Sequence, residues 1–142
     1  VIRAIRDEFP ELKEDEVLVL MGHGTTHYSN SIYAALDYTF KDKGCPNIFL
    51  GTVEAYPSMQ SLLHMVENYQ PKRVILAPFM IVAGDHAKND MAGDDPESWR
   101  CQFEAAGFPV SCVLKGLGEY PSIRKLFVEH VQAAIDRAED VR

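Results

Sequence analysis

Three residues with metal-binding side chains, His23, Glu54 and His86, each lie in a segment that follows a short apolar run. Two imidazoles and one carboxylate suit first-row divalent ions such as Fe²⁺, Co²⁺, Ni²⁺ or Zn²⁺. Three protein ligands leave coordination positions open, which is typical of a reactive rather than a structural metal site. The residue types therefore indicate metal chemistry, provided that the fold brings the three side chains together.

Four apolar runs are the candidate strands that would position these residues. They cover residues 17–21, 48–50, 74–78 with 79–82 beyond, and 110–114. The runs are continuously apolar rather than alternating, which indicates burial on both faces, as in a parallel sheet covered by helices.

Helical patterns separate these runs, and each pattern predicts one buried stripe. The stripes are Ile32, Leu36 and Phe40; Met59, Leu62, Leu63 and Val66; and Ile123, Leu126, Phe127, Val131, Ala134 and Ile135. A first helix over Ile2, Ile5 and Phe9 should end before Pro10, and a short helix carrying Trp99 and Phe103 should open at residues 95–97. Ser29, Ser58 and Ser122 are placed as caps or first-turn residues, and Gly44 and Gly107 follow helices.

The order of elements predicts an α/β fold, with a four-stranded parallel sheet flanked by helices. At 142 residues the chain has the size of a single domain, here covering residues 1–142. The polar segment 10–16 is compatible with a linker from a longer protein.

Ligands of open parallel sheets bind at the carboxyl ends of the strands. With the common strand order 2-1-3-4, the ends preceding His23, Glu54 and His86 are neighbours and span roughly 10 Å. Each residue also has a simpler interpretation. His23 could be a loop residue bonded to backbone, Glu54 a helix cap, and His86 a solvated neighbour of a capping Asp85. Their shared position at one edge favours the metal site.

Other titratable residues are weaker candidates. His27 follows His23 at a spacing of four and is a secondary candidate, whereas His64 and His130 lie inside amphipathic helices and are interpreted as structural. An acidic cluster is either a solvated loop or a collector of incoming cations; it consists of Asp90, Asp94 and Asp95.

Composition and motifs argue against several classes of protein. A net charge of −7 without a Lys/Arg-rich run argues against nucleic acid. No apolar run approaches the roughly 18 residues of a membrane span. Neither GxGxxG nor GxxxxGK[ST] is present, so nucleotide binding has little support. Three cysteines without CxxC spacing favour a reducing, cytoplasmic location, with a periplasmic one left open if a signal peptide was removed.

Three segments of the chain form recognisable motifs: MGHGT at 21–25, GTVEAYPS at 51–58 and AGDHAKNDMAGD at 83–94, of which the last is the most specific. Together they resemble the CbiK cobaltochelatases, a family of class II tetrapyrrole chelatases. Residues 32–37 and 77–80 are also similar to the family, and the resemblance extends over nearly the whole chain.

The resemblance implies a chelatase that inserts Co²⁺ into sirohydrochlorin in anaerobic cobalamin biosynthesis without consuming a nucleotide. It places the metal ligands on His23, Glu54 and His86, with the two histidines as catalytic residues. It also implies a chelatase-like, flavodoxin-like half-domain that corresponds to the C-terminal half of a two-domain enzyme. An N-terminal half-domain or a second subunit would then complete the substrate cleft.

Three alternatives stay open from the sequence. The metal could be iron or nickel on the same type of ring, or the chain could be a non-catalytic module that binds metal or tetrapyrrole. A flavodoxin-like binding domain would need a phosphate loop, which the sequence lacks. Candidate contacts for the ring's carboxylates are Lys88 and the helix N-termini near residues 28–31, Ser58 and Ser122.

Overall fold

The computed structural model describes residues 1–141 and contains one parallel sheet of four strands in the order β2-β1-β3-β4. The strands are β1 at Glu16–Gly22, β2 at Ile48–Thr52, β3 at Arg73–Pro78 and β4 at Val110–Cys112. Both the predicted fold class and the assumed strand order are confirmed. The central pair, β1 and β3, therefore lies between the two edge strands.

Within residues 1–141, five α-helices connect and cover the strands. They are α1 at Ile2–Glu8, α2 at Ser31–Asp42, α3 at Met59–Tyr69, α4 at Trp99–Ala105 and α5 at Pro121–Asp140. Short 3₁₀ turns occur at Tyr28–Asn30 and Leu117–Glu119, and a π-helical turn occurs at His86–Met91.

Strand β1 is the centre of the hydrophobic core, since its residues 17–21 are at most 1% exposed. Alternate side chains of the strand enter two different clusters. Leu18 and Leu20 pack with Phe40 of α2 on one face of the sheet. Val17 and Val19 pack with Leu62, Phe103 and their neighbours from α3 and α4 on the other face. Burial on both faces explains why these runs are continuously apolar.

Two predicted strands extend too far. Strand β3 ends at Pro78, and Ile81 and Val82 beyond it are 51% and 72% exposed. Strand β4 ends at Cys112, two residues before the predicted limit, and Leu114 is 51% exposed. Beyond the sheet, the chain that follows β3 pairs with the chain that follows β4, since the Leu117 amide donates to the Met80 carbonyl at 2.7 Å.

The predicted burial of the helical stripes is wrong for part of α2 and for most of α5. Ile32 is 62% exposed, and in α5 only the first turns pack against the core through Ile123 and Leu126. Further along α5, Phe127, Val131 and Ile135 are 53%, 59% and 47% exposed, and Ala134 is also exposed. The helix is longer than the core of this chain, so its apolar stripe continues past the surface it can cover.

The connection at residues 10–16 is not a free linker. Glu16 is the first residue of β1, Leu12 packs against the core, and the Tyr69 hydroxyl donates to the Glu14 carbonyl at 2.6 Å. This segment therefore belongs to the folded domain.

Most helix boundaries follow the sequence signals. Helix α1 ends at Glu8, and Ser58 caps α3 by accepting a hydrogen bond from the Ser61 amide. Gly44 and Gly107 follow α2 and α4 at φ angles of +85° and +97°, the left-handed conformation that glycine adopts without strain.

Three helix starts differ in detail from the predictions. Helix α4 begins at Trp99 with Ser98 as its cap, later than predicted. Ser29 lies in the 3₁₀ turn that precedes α2, and Ser122 lies in the first turn of α5, where its hydroxyl donates to the Glu8 carboxylate.

Among residues 1–141, none of the helices combines the length and apolar character needed to cross a bilayer.

Candidate metal centre

His23 and Glu54 are brought together by the backbone at the carboxyl edge of the sheet. His23 directly follows β1, and Glu54 lies two residues beyond β2. The backbone contact of the two strands continues past their ends, because the Val53 amide donates to the Gly22 carbonyl and the Glu54 amide to the His23 carbonyl, each at 3.0 Å. The position of one residue therefore determines the position of the other.

Gly24 is required for the chain to leave β1 in this direction. Its φ angle is +87°, and a Cβ atom built on it would lie 2.8 Å from the Thr52 Cβ. Thr52 in turn holds the loop that carries Glu54, since its hydroxyl accepts a hydrogen bond from the Ala55 amide at 3.0 Å. Any larger residue in place of Gly24 would displace one of these two loops.

His86 reaches the same edge from the segment that follows β3. It is the first residue of the π-helical turn His86–Met91, which is anchored in the core by the fully buried side chains of Ala87 and Met91. π-Helical turns are rare and occur frequently at functional sites. The His86 Nδ1 atom lies 2.5 Å from the Asp90 Oδ2 atom on the same turn.

The three predicted side chains converge. His23, Glu54 and His86 each offer one ligand atom, and these atoms lie within 4.8 Å of one another. The two imidazole rings are almost perpendicular, with centroids 4.5 Å apart and an interplanar angle of 86°. The Glu54 Oε2 atom lies 3.7 Å from the His23 Nδ1 atom. At these separations the three donors could hold one ion between them.

The cluster is open to solvent. The side chains of His23, Glu54 and His86 are 48%, 55% and 37% exposed. A cation can therefore enter without displacing the core, and the side opposite the protein stays free for other ligands of the metal. This exposure agrees with the open coordination that three ligands imply.

The secondary candidates do not join the cluster. The His27 ring accepts a hydrogen bond from the Ser29 amide and contacts the Ser29 hydroxyl, so His27 caps the 3₁₀ turn before α2. His64 and His130 are exposed on α3 and α5, and neither belongs to the converging group. The other acidic residues are dispersed: Asp94 forms an ion pair with Arg100, and Asp95 accepts from the Glu97 amide.

Asp90 is the member of the site that the sequence interpretation missed. The sequence placed it in a general acidic cluster, whereas the structure pairs it with His86. The signal was present as a spacing of four residues between a histidine and a carboxylate. That spacing brings side chains to one face of a helical turn, but the segment carried no clear helical pattern.

The fold and the convergent side chains define an α/β domain with three candidate metal ligands at the carboxyl edge of its sheet. Comparison with known families identifies the group. Residues 1–136 match the family described as cobalt chelatase (CbiK), and the chain belongs to that family.

Curated relatives agree with this assignment. The chain is 42% identical over 138 residues to a sirohydrochlorin cobaltochelatase of Salmonella typhimurium, covering 97% of this chain and 52% of the relative. It is 37% identical over 128 residues to the sirohydrochlorin cobaltochelatase CbiKC of Nitratidesulfovibrio vulgaris, covering 90% of this chain and 45% of the relative. The chain thus spans about half the length of the curated relatives it matches.

A solved structure shares the fold. A putative cobalamin biosynthesis CbiX protein from Marinobacter aquaeolei superposes with a TM-score of 0.66 at 17% identity, covering 86% of this chain and 98% of that one. At this level of identity the likeness concerns the fold alone.

Proposed function

We propose that this chain is the metal-handling half of a sirohydrochlorin cobaltochelatase, in which His23, Glu54 and His86 bind the Co²⁺ that is inserted into the ring. The observation that carries the proposal is the convergence of these three side chains at the exposed carboxyl edge of the sheet. Membership of the cobalt chelatase family supplies the reaction class.

The reaction consumes sirohydrochlorin and Co²⁺ and releases cobalt-sirohydrochlorin and two protons. The protons leave two pyrrole nitrogens as the metal enters. A neutral imidazole can ligate a metal or accept a proton near neutral pH, which suits His23 and His86 to both steps. Because the site is open and supplies only three ligands, the ring nitrogens can replace the protein ligands one after another.

Substrate binding should depend on local donors, because a chain with a net charge of −7 repels the ring's carboxylates at long range. Lys88 is exposed on the same π-helical turn as His86, and the 3₁₀ turn at Tyr28–Asn30 follows the loop of His23. Ser58, at the start of α3, follows the loop of Glu54. We propose these groups as the ring's polar contacts on this side.

A second half-domain should complete the cleft. We propose that this chain corresponds to the C-terminal half, and that an N-terminal half-domain or a second subunit supplies the opposite wall. The twofold greater length of the relatives supports this. So does the exposed apolar stripe of α5, formed by Phe127, Val131 and Ile135, which this chain alone does not cover.

We also propose that insertion needs no nucleotide, in line with the lack of a phosphate-binding motif, and that the protein works in the cytoplasm without membrane or nucleic-acid partners. The three cysteines are free thiols, which suits a reducing compartment.

The test is Co²⁺ insertion, followed by the absorbance change of sirohydrochlorin, in a protein that contains both half-domains. We expect His23→Ala and His86→Ala to abolish most insertion and Glu54→Gln to reduce it. His64→Ala and His130→Ala, which alter exposed histidines away from the cluster, are the matched controls. Undiminished insertion by the double variant of His23 and His86 would refute the assignment.

The same assay separates the alternatives. A carrier would bind Co²⁺ or the ring stoichiometrically without accelerating their joining. A chelatase for iron or nickel would insert those ions faster than Co²⁺ under equal free-ion concentrations, a choice that histidine and carboxylate ligands do not make by affinity alone.

A further inference from the structure

The two histidines of the cluster differ in what holds their rings. The His23 Nδ1 atom lies 2.9 Å from the carbonyl oxygen of Gly24, a neutral acceptor. The His86 Nδ1 atom lies 2.5 Å from the carboxylate of Asp90, an anionic acceptor. We propose that Asp90 is a positioning residue that fixes His86 with its Nε2 atom toward the metal and strengthens it as a donor. This inference rests on the proposed metal site.

The hydrogen bond between His86 and Asp90 determines which ring nitrogen of His86 can bind the metal. A neutral ring carries one N–H group and one nitrogen with a free lone pair. When Nδ1–H donates to Asp90, the lone pair is necessarily on Nε2, the nitrogen available to the ion. Without an acceptor, a neutral histidine side chain in water favours the opposite form, with the proton on Nε2. Asp90 therefore selects the form in which Nε2 is the nitrogen that can ligate.

The charge of Asp90 adds a second effect. A carboxylate that accepts from the distal N–H group of a metal-binding histidine makes the ring a stronger donor, and loss of such a partner typically weakens metal affinity about 10- to 100-fold. His23 has only a carbonyl partner. His86 should therefore be the stronger donor of the two histidines.

The backbone holds Asp90 and His86 more firmly than it holds the partners of an ordinary surface ion pair. Exposed ion pairs four residues apart usually contribute little to stability. Here both residues lie on one π-helical turn, and the residues adjoining them, Ala87 and Met91, are fully buried. The Asp90 side chain itself is 46% exposed, so it can be replaced without opening the core.

The experiment compares three variants of this chain. Asp90→Ala removes the acceptor, Asp90→Asn keeps an acceptor but removes the charge, and Asp85→Asn removes one negative charge next to His86 from an exposed residue that precedes the turn. Co²⁺ dissociation constants are measured by titration. The ring nitrogens of His86 are observed by ¹⁵N NMR in the metal-free protein at alkaline pH, in the neutral form of the ring.

We expect Asp90→Ala to bind Co²⁺ about 10- to 100-fold more weakly and to move the His86 proton from Nδ1 to Nε2. Asp90→Asn should keep the proton on Nδ1 and lose a smaller part of the affinity. Asp85→Asn should change the affinity less than about fivefold, the limit for an exposed charge. A general structural role of Asp90 would not move the ring proton.

Two results overturn the role of Asp90: an unchanged His86 proton position in Asp90→Ala, or equal Co²⁺ affinities of Asp90→Ala and Asp85→Asn. Failure of the proposed function looks different. In that case the unaltered chain binds no Co²⁺, or His86→Ala binds it equally well, whatever the NMR spectrum of Asp90→Ala shows.

Discussion

The interior of the sheet is buried, whereas its carboxyl edge is exposed to solvent, although the same strands supply both regions. Residues 17–21 of β1 are at most 1% exposed, whereas His23, two residues further along, has a side chain that is 48% exposed. Interior side chains are held by close packing on two faces. The edge side chains are held by short loops and single hydrogen bonds. Stability and metal binding should therefore be separable by mutation.

The largest effect on stability should come from the interior. Leu20→Ala removes a side chain that is 1% exposed and leaves a cavity between β1 and the helices, so we expect a loss of about 3 kcal/mol of unfolding free energy. Urea unfolding measures this value. The molecules that stay folded should still bind Co²⁺ with unchanged affinity, and a parallel loss of affinity would contradict the separation.

Removing a proposed ligand at the carboxyl edge should weaken Co²⁺ binding and leave the stability of the fold almost unchanged. His23→Ala and His86→Ala should each leave the unfolding free energy within about 0.5 kcal/mol of the original, because neither side chain is part of the core. A Co²⁺ concentration of 100 times the dissociation constant should stabilise the original chain by about 2.7 kcal/mol and the double variant hardly at all. Urea unfolding with and without Co²⁺ measures both. Equal stabilisation of the double variant would place the ion elsewhere.

Gly24 belongs to both regions, and its replacement should affect both properties. Gly24→Ala forces a side chain into a left-handed conformation against Thr52, so we expect about 1 to 3 kcal/mol of destabilisation. Because Gly24 directly follows His23, the same change should also shift the His23 side chain, and Co²⁺ affinity should fall. Gly44→Ala is the matched control, with a similar φ angle of +85° but no atom within 4 Å of the added methyl group. It should cost stability without changing affinity.

The smallest effect is expected on the exposed stripe of α5. Val131→Gln and Ile135→Gln alter side chains that are already 59% and 47% exposed, so the stability of this chain alone should change by less than about 0.5 kcal/mol. In a protein with both half-domains the same changes should reduce stability by more, if the second half covers the stripe. Equal small effects in both proteins would place that interface elsewhere.

Much of the fold was predictable because its signals are local. Continuous apolar runs indicate strands buried on both faces, and Ser58, Gly44 and Gly107 mark helix ends through hydrogen bonds and φ angles within a few residues. The wrong predictions concern surfaces. An apolar side chain such as Phe127 has the same helical spacing whether this chain or another covers it, so spacing alone could not tell that it is exposed.

For the candidate site, the sequence by itself determined which residues follow the strands, and therefore which side chains could meet at the carboxyl edge. That His23, Glu54 and His86 do meet was decided by the strand order, which depends on pairing between segments distant along the chain. The hydrogen-bond partner of each imidazole was determined only by the tertiary structure. It is Gly24 for His23 and Asp90 for His86. The physical reason is that a hydrogen bond depends on distances of a few tenths of an ångström, which residue spacing does not specify.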